Sequence, residues 1–82
     1  MIEYLKTASK KTVGLKQSLK AVKNGRAEYA FVARDAEERV LAPFIEACRE
    51  HSVMITYVDT MDALGRACGI EVGAAVACIL KS

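Results

Sequence analysis

The chain has 82 residues, room for one domain spanning 1–82 around one core, which argues against a multidomain architecture. Aliphatic side chains must build that core, because 52% of the residues are hydrophobic and only 6% aromatic. The net charge of +2 points to no partner, yet residues 1–26 carry seven basic side chains against Glu3 alone, a net of +6, and the remainder a net of −4.

A basic face aimed at a polyanion produces such an asymmetry, and so does a solvated lysine surface; charge alone weighs the two equally. Cys48, Cys68 and Cys78 are odd in number, lack metal-ligand spacing and sit in apolar stretches. They fit a reduced cytoplasmic protein rather than a disulfide framework or a zinc site. The opening residues mix Glu3 with Lys6, Lys10 and Lys11, so neither a signal peptide nor a membrane span is expected there.

In chain order, Ile2, Leu5 and Ala8 mark one face of a short helix. Thr12 and Val13 read as a brief strand that turns at Gly14. Leu15, Leu19 and Val22 then give a helical period that stops at Asn24-Gly25, where both residues tolerate a left-handed backbone. Tyr29 to Ala33 is a continuous apolar run, as in a strand covered on both faces. Val40, Leu41, Phe44, Ile45 and Cys48 predict a second long helix. Pro43 places its start near Arg39, because a missing N–H is tolerated in the first turn. Val53 to Val58 reads as a strand, Met61 to Ala67 as a short helix and Ala74 to Leu80 as a last strand. This alternation implies an α/β/α sandwich around a sheet of about four strands, parallel or mixed.

Catalysis finds little support. His51 is the one histidine and ends a predicted helix, where a surface or helix-end role is the ordinary one. Asp35 and Glu37 follow a strand, a position active-site carboxylates use. Capping of the next helix by Asp35 is the simpler expectation. Gly65, Gly69 and Gly73 match neither a P-loop nor a dinucleotide fingerprint, and Arg66 and Glu71 between them do not suit a membrane helix.

Gly14-Leu15-Lys16-Gln17-Ser18-Leu19-Lys20 is more informative. At about 100° per residue Lys16, Lys20 and Lys23 form one stripe, flanked by Gln17. Gly14 would let a phosphate approach the free N–H groups of the helix start. Alone, such a stripe is more often a solvated face than a site. Leu64 to Gly73 adds a glycine-bounded loop in which Ile70 and Val72 have no obvious place to hide. They either cover an unstacked nucleotide or tuck back into the core.

Gly14-x-Lys16-Gln17-x-x-Lys20-Ala21, Ala33-Arg34-Asp35-Ala36-Glu37 and Leu64-Gly65-Arg66-Ala67-Cys68-Gly69 with Ile70-Glu71-Val72 occur in this order over almost the whole chain. Together they resemble the ribosomal-protein family that binds kink-turn RNA, and its short bacterial members most closely. The resemblance implies a mixed four-stranded sheet in an α/β/α sandwich, no enzymatic activity and no cofactor or metal. The chain's partner would be a kink-turn, an RNA duplex bent at a bulge beside tandem sheared G·A pairs, in association with the ribosome, and nothing in the sequence demands more than a monomer. Gly14, Lys16, Gln17 and Lys20 would meet those pairs and their phosphates. Glu37 would lie near the extruded nucleotide, with Ile70, Glu71 and Val72 covering it. Archaeal and eukaryotic members usually carry Asn-Glu where this chain has Lys16-Gln17, so the resemblance implies weaker base recognition and more phosphate contact. The rival readings are a small α/β enzyme or ligand-binding module using Asp35 and Glu37, and a protein–protein adaptor of the same fold.

Overall fold

The apolar runs decide where the sheet lies. The computed structural model describes residues 2–82; Met1, which the single-domain reading includes, lies outside them. In order come α1 (Ile2–Thr7), β1 (Lys11–Val13), α2 (Leu15–Lys23), β2 (Ala27–Ala33), α3 (Glu38–Glu50), β3 (Met54–Val58), α4 (Met61–Ala67) and β4 (Val76–Leu80). The strands form one mixed sheet in the order β1-β4-β2-β3. β4 runs antiparallel to both β1 and β2, and β3 runs parallel to β2. The parallel pair is joined by a crossover through α3, the connection that parallel strands require.

Period-two alternation divides each central strand between two cores. Ala30 and Val32 face Val22, Phe44, Cys48, Val76 and Cys78 beneath α2 and α3. Phe31 and Ala33 face Leu5, Leu64, Ala67 and Ala77 beneath α1 and α4. The apolar run of β2 is therefore covered on both faces, and the three-layer α/β/α sandwich is the observed architecture. Phe31 and Phe44 are fully buried, one in each layer, and each burial contributes about 1.5–3 kcal/mol. Among the described residues Ser18 is the one buried polar residue; its hydroxyl lies 2.9 Å from that of Thr12, tying α2 to β1.

Two local expectations fail for identifiable reasons. The expected start near Arg39 holds to one residue, α3 beginning at Glu38, but Pro43 is its sixth residue rather than part of its first turn. The carbonyl it leaves without a helical donor belongs to Arg39, an exposed residue. Asp35 does not cap α3, whose N-cap is Glu37 with no side-chain bond. Its carboxylate instead accepts from the Met61 N–H at 2.8 Å, at the start of α4. Parallel pairing of β2 with β3 brings these two strand exits together, which sequence neighbourhood does not reveal.

Three helices stop in the same way. The residue after each C-cap has positive φ: Gly25 (71°) after α2, Ser52 (57°) after α3 and Gly69 (84°) after α4. In each case its N–H and the next one turn back to helix carbonyls, as in Gly69 to Arg66 and Ile70 to Gly65. These are Schellman motifs. No helix among the described residues is long and apolar enough to cross a membrane.

Candidate nucleic-acid interface

The three sequence segments singled out above meet at one end of the sheet, where β1, β2 and β3 finish and β4 begins. The Gly14 N–H donates to the Val76 carbonyl at 2.9 Å, placing the start of α2 against the start of β4. Ala33 N–H donates to Ala75 at 2.9 Å and Arg34 N–H to Val58 at 2.8 Å, which sets the loop after β2 beside the same edge. Asp35 then holds the start of α4, and the Met61 carbonyl accepts from the Ala74 N–H at 3.0 Å. The loop before β4 is thus laced to the loop after β2 through one helix terminus.

Gly14 takes φ 92° and ψ 163°, a conformation that disfavours any side chain, and nothing lies where its Cβ would be. No side chain caps α2, so its first N–H groups and the positive end of its dipole stay open to an anion. Lys16, Gln17 and Lys20 are exposed on that helix, while Leu15 and Leu19 pack against the core. None of the ion pairs between described residues involves Lys16, Lys20 or Lys23. The stripe carries uncompensated positive charge beside an open helix terminus, an arrangement suited to phosphate.

Glu37 is also exposed, and its carboxylate pairs with Arg39 Nε at 3.2 Å. A surface pair of this kind is weak, so the carboxylate can exchange partners at small cost. Glu71 and Val72 are exposed, Val72 to 71%. Of the two readings open for the apolar loop residues, Ile70 takes the inward one. It is half-buried and packs against the core beneath α4. It is the second residue past the cap of a Schellman motif, a position whose apolar side chain commonly folds back onto the last turn. Gly65 is required nearby, since a Cβ there would run into the Val72 carbonyl. Glycine lets the loop lie flat on α4 and present Val72 outward.

Sequence reasoning passed over one cation at this end. The Arg34 guanidinium lies 5.0 Å from the centroid of the Tyr57 ring, and Arg34 Nε lies 3.7 Å from an Asp59 carboxylate oxygen. Only the β2–β3 register, which pairs Val32 with Tyr57, brings these residues together. Among the described residues, no group of His, Cys, Asp and Glu could hold a metal ion.

Comparison with known proteins follows the same outline. The model of the ribosomal protein L7Ae/L30e/S12e/Gadd45 family matches residues 2–82. An RNA-binding protein of Caldanaerobacter subterraneus subsp. tengcongensis is 53% identical over 68 residues, 83% of each chain. The RNA-binding protein YbxF of Geobacillus stearothermophilus is 40% identical over 79 residues, 96% of each chain. The large ribosomal subunit protein eL8 of Halobacterium salinarum is 34% identical over 70 residues, 84% of this chain and 58% of the longer protein. Among solved structures, the Giardia lamblia 15.5kD RNA binding protein superposes with a TM-score of 0.86 at 29% identity, covering 99% of this chain and 68% of that one.

Proposed function

Because this chain belongs to the ribosomal protein L7Ae/L30e/S12e/Gadd45 family, we propose that it binds RNA and holds a kink-turn in its bent form. It is not an enzyme: the relatives named above are RNA-binding and ribosomal proteins. Asp35, one of the two carboxylates an enzyme reading needs, is engaged at the start of α4. One observation carries the reading. An open helix terminus with unpaired lysines, the Glu37 loop and the exposed Val72 loop converge on one end of the sheet.

In this reading Gly14 and the first N–H groups of α2 receive a phosphate, and Lys16 and Lys20 neutralise others along the same strand. The Gln17 amide meets a guanine edge in the widened groove. Glu37 leaves Arg39 to accept from the extruded nucleotide, and Val72 covers that base, with Ile70 bracing the loop from beneath and Glu71 at its rim. The protein works by population shift: it favours the kinked RNA to the extent that it binds that form better. No cofactor or metal takes part. The protein acts as a monomer in the cytoplasm, on ribosomal or other structured RNA, and its three free, buried thiols suit a reducing compartment.

The test is a gel-shift comparison of a kink-turn RNA with the same RNA whose sheared G·A pairs are replaced by Watson–Crick pairs. Specific binding should vanish with the replacement. Equal affinity for both at moderate salt would refute the kink-turn reading and leave only general RNA affinity.

A further inference from the structure

The +6 excess of residues 1–26 is only partly accounted for by the stripe on α2. Two more of its cations, Lys10 and Arg26, lie at the opposite end of the sheet. Backbone pairing places Lys10 beside Leu80, whose N–H donates to the Lys10 carbonyl at 3.0 Å, and Arg26 beside Lys81, whose N–H donates to the Arg26 carbonyl at 2.8 Å. The start of β1, the start of β2 and the end of β4 thus present Lys10, Arg26 and Lys81 together, with Lys23 at the end of α2 close by. All four are exposed, and none takes part in an ion pair between described residues. Lys11 differs, because its Nζ donates to the Leu5 carbonyl at 3.2 Å and is committed to the end of α1.

This pole is shaped as well as charged. An open cleft of about 490 Å³ runs between α1 and the sheet, lined by Thr7, Ser9, Lys10, Ile79 and Leu80, with Glu28 as its acidic member. Beside it Tyr4, 61% exposed, stacks on Tyr29 with ring centroids 6.4 Å apart. Cations flanked by an exposed aromatic face are the elements of a nucleic-acid track: charge for phosphates and a ring for an unstacked base. β2 has seven residues and spans about 20 Å at roughly 3.3 Å per residue, so the two poles address separate stretches of a ligand.

We propose that the pole formed by Lys10, Arg26 and Lys81 is a second RNA-contact surface, taking the phosphate backbone of a segment distinct from the one at the start of α2. The inference rests on the RNA-binding reading but not on kink-turn selectivity. The segment is either a separate RNA or the distal arm of the kinked one, and the experiment separates these sources.

Wild type is saturated with an unlabelled short-armed kink-turn RNA and titrated with a labelled plain duplex at low salt. In parallel, affinities are measured for kink-turn RNAs with short and extended arms. Lys10→Gln/Arg26→Gln/Lys81→Gln removes the exposed pole, and Lys16→Gln/Lys20→Gln removes the first surface. A separate RNA appears as uptake of the duplex by the loaded complex; a distal arm appears as tighter binding of the extended RNA. Either effect should fall about tenfold in the triple variant, while its affinity for the short-armed RNA stays within about twofold. If wild type shows neither effect, or the triple variant retains them undiminished, the proposal is overturned. Should the kink-turn RNA not bind at all, the plain duplex is titrated against the free proteins. Weaker binding by the triple variant than by Lys16→Gln/Lys20→Gln would then support the second surface while the kink-turn reading fails; the reverse order would reject it.

Discussion

Ile70 and Val72 stand two positions apart in one loop, yet the structure gives them different tasks. Ile70→Ala removes half-buried contacts beneath α4 and should cost about 1–2 kcal/mol in a urea melt. Val72→Ala, at a residue 71% exposed, should change stability by less than about 0.5 kcal/mol. Under the proposed function it should still weaken kink-turn binding by about 1 kcal/mol, roughly fivefold, through lost apolar cover. Equal melting of the two variants would contradict the loop geometry; unchanged binding by Val72→Ala would contradict the covering role. The sequence showed that both side chains were apolar and glycine-bounded, but not which of them turned inward. That depends on Gly69 adopting positive φ, after which the next side chain is directed back towards the core beneath α4.

At the scale of elements, helix ends show how far pattern reading extends. Asn24-Gly25 and Gly69 announce their stops because glycine accepts a left-handed backbone without strain. The end of α3 uses Ser52 at φ 57°, so the same motif is silent in the sequence. A Cβ there costs about 1–2 kcal/mol, partly offset by the backbone entropy glycine would lose. Ser52→Gly should therefore stabilise the protein by about 0.5–1 kcal/mol, read as a higher urea midpoint with unchanged slope. Helix periods and the β2 run were legible because each buries a continuous stripe, whereas the link from Asp35 to α4 required a strand pairing that no local pattern encodes. α2 permits a separate test of its exposed stripe. If Lys20 meets a phosphate, Lys20→Ala should flatten the slope of log K against log salt by about 0.7–0.9. Gln17→Ala should leave that slope alone and narrow the gap between kink-turn and mutant RNA by about 1–3 kcal/mol. One slope and one specificity ratio shared by wild type and both variants would remove α2 from the interface.

Across the whole molecule, the buried thiols couple folding to alkaline pH. Burial pushes the Cys48 thiol from its ordinary 9.0 up to about 12, with the neighbouring Cys78 adding to the rise. Burial likewise lifts Cys78 to about 11, against the opposing pull of hydrogen bonds with Thr12 and Ser18. An unfolded chain ionises these thiols near pH 9 while the folded one keeps them protonated, so their stabilisation is complete below about pH 9 and is lost towards pH 11–12. Urea midpoints should fall over that range, and Cys48→Ala/Cys78→Ala should flatten the fall; identical profiles would mean other groups dominate. The strand order carries a consequence of another kind. β4 comes last among the strands yet lies between β1 and β2, and its β1 partners stand more than sixty positions earlier in the chain. Closing so long a loop is slow relative to forming local helices. During synthesis, the first strand emerges long before its neighbour exists, and α2 has no Val76 carbonyl to dock Gly14 against. The RNA-facing end is therefore completed only when β4 slots into the gap, so a half-made chain offers its lysines without the geometry that would make them selective.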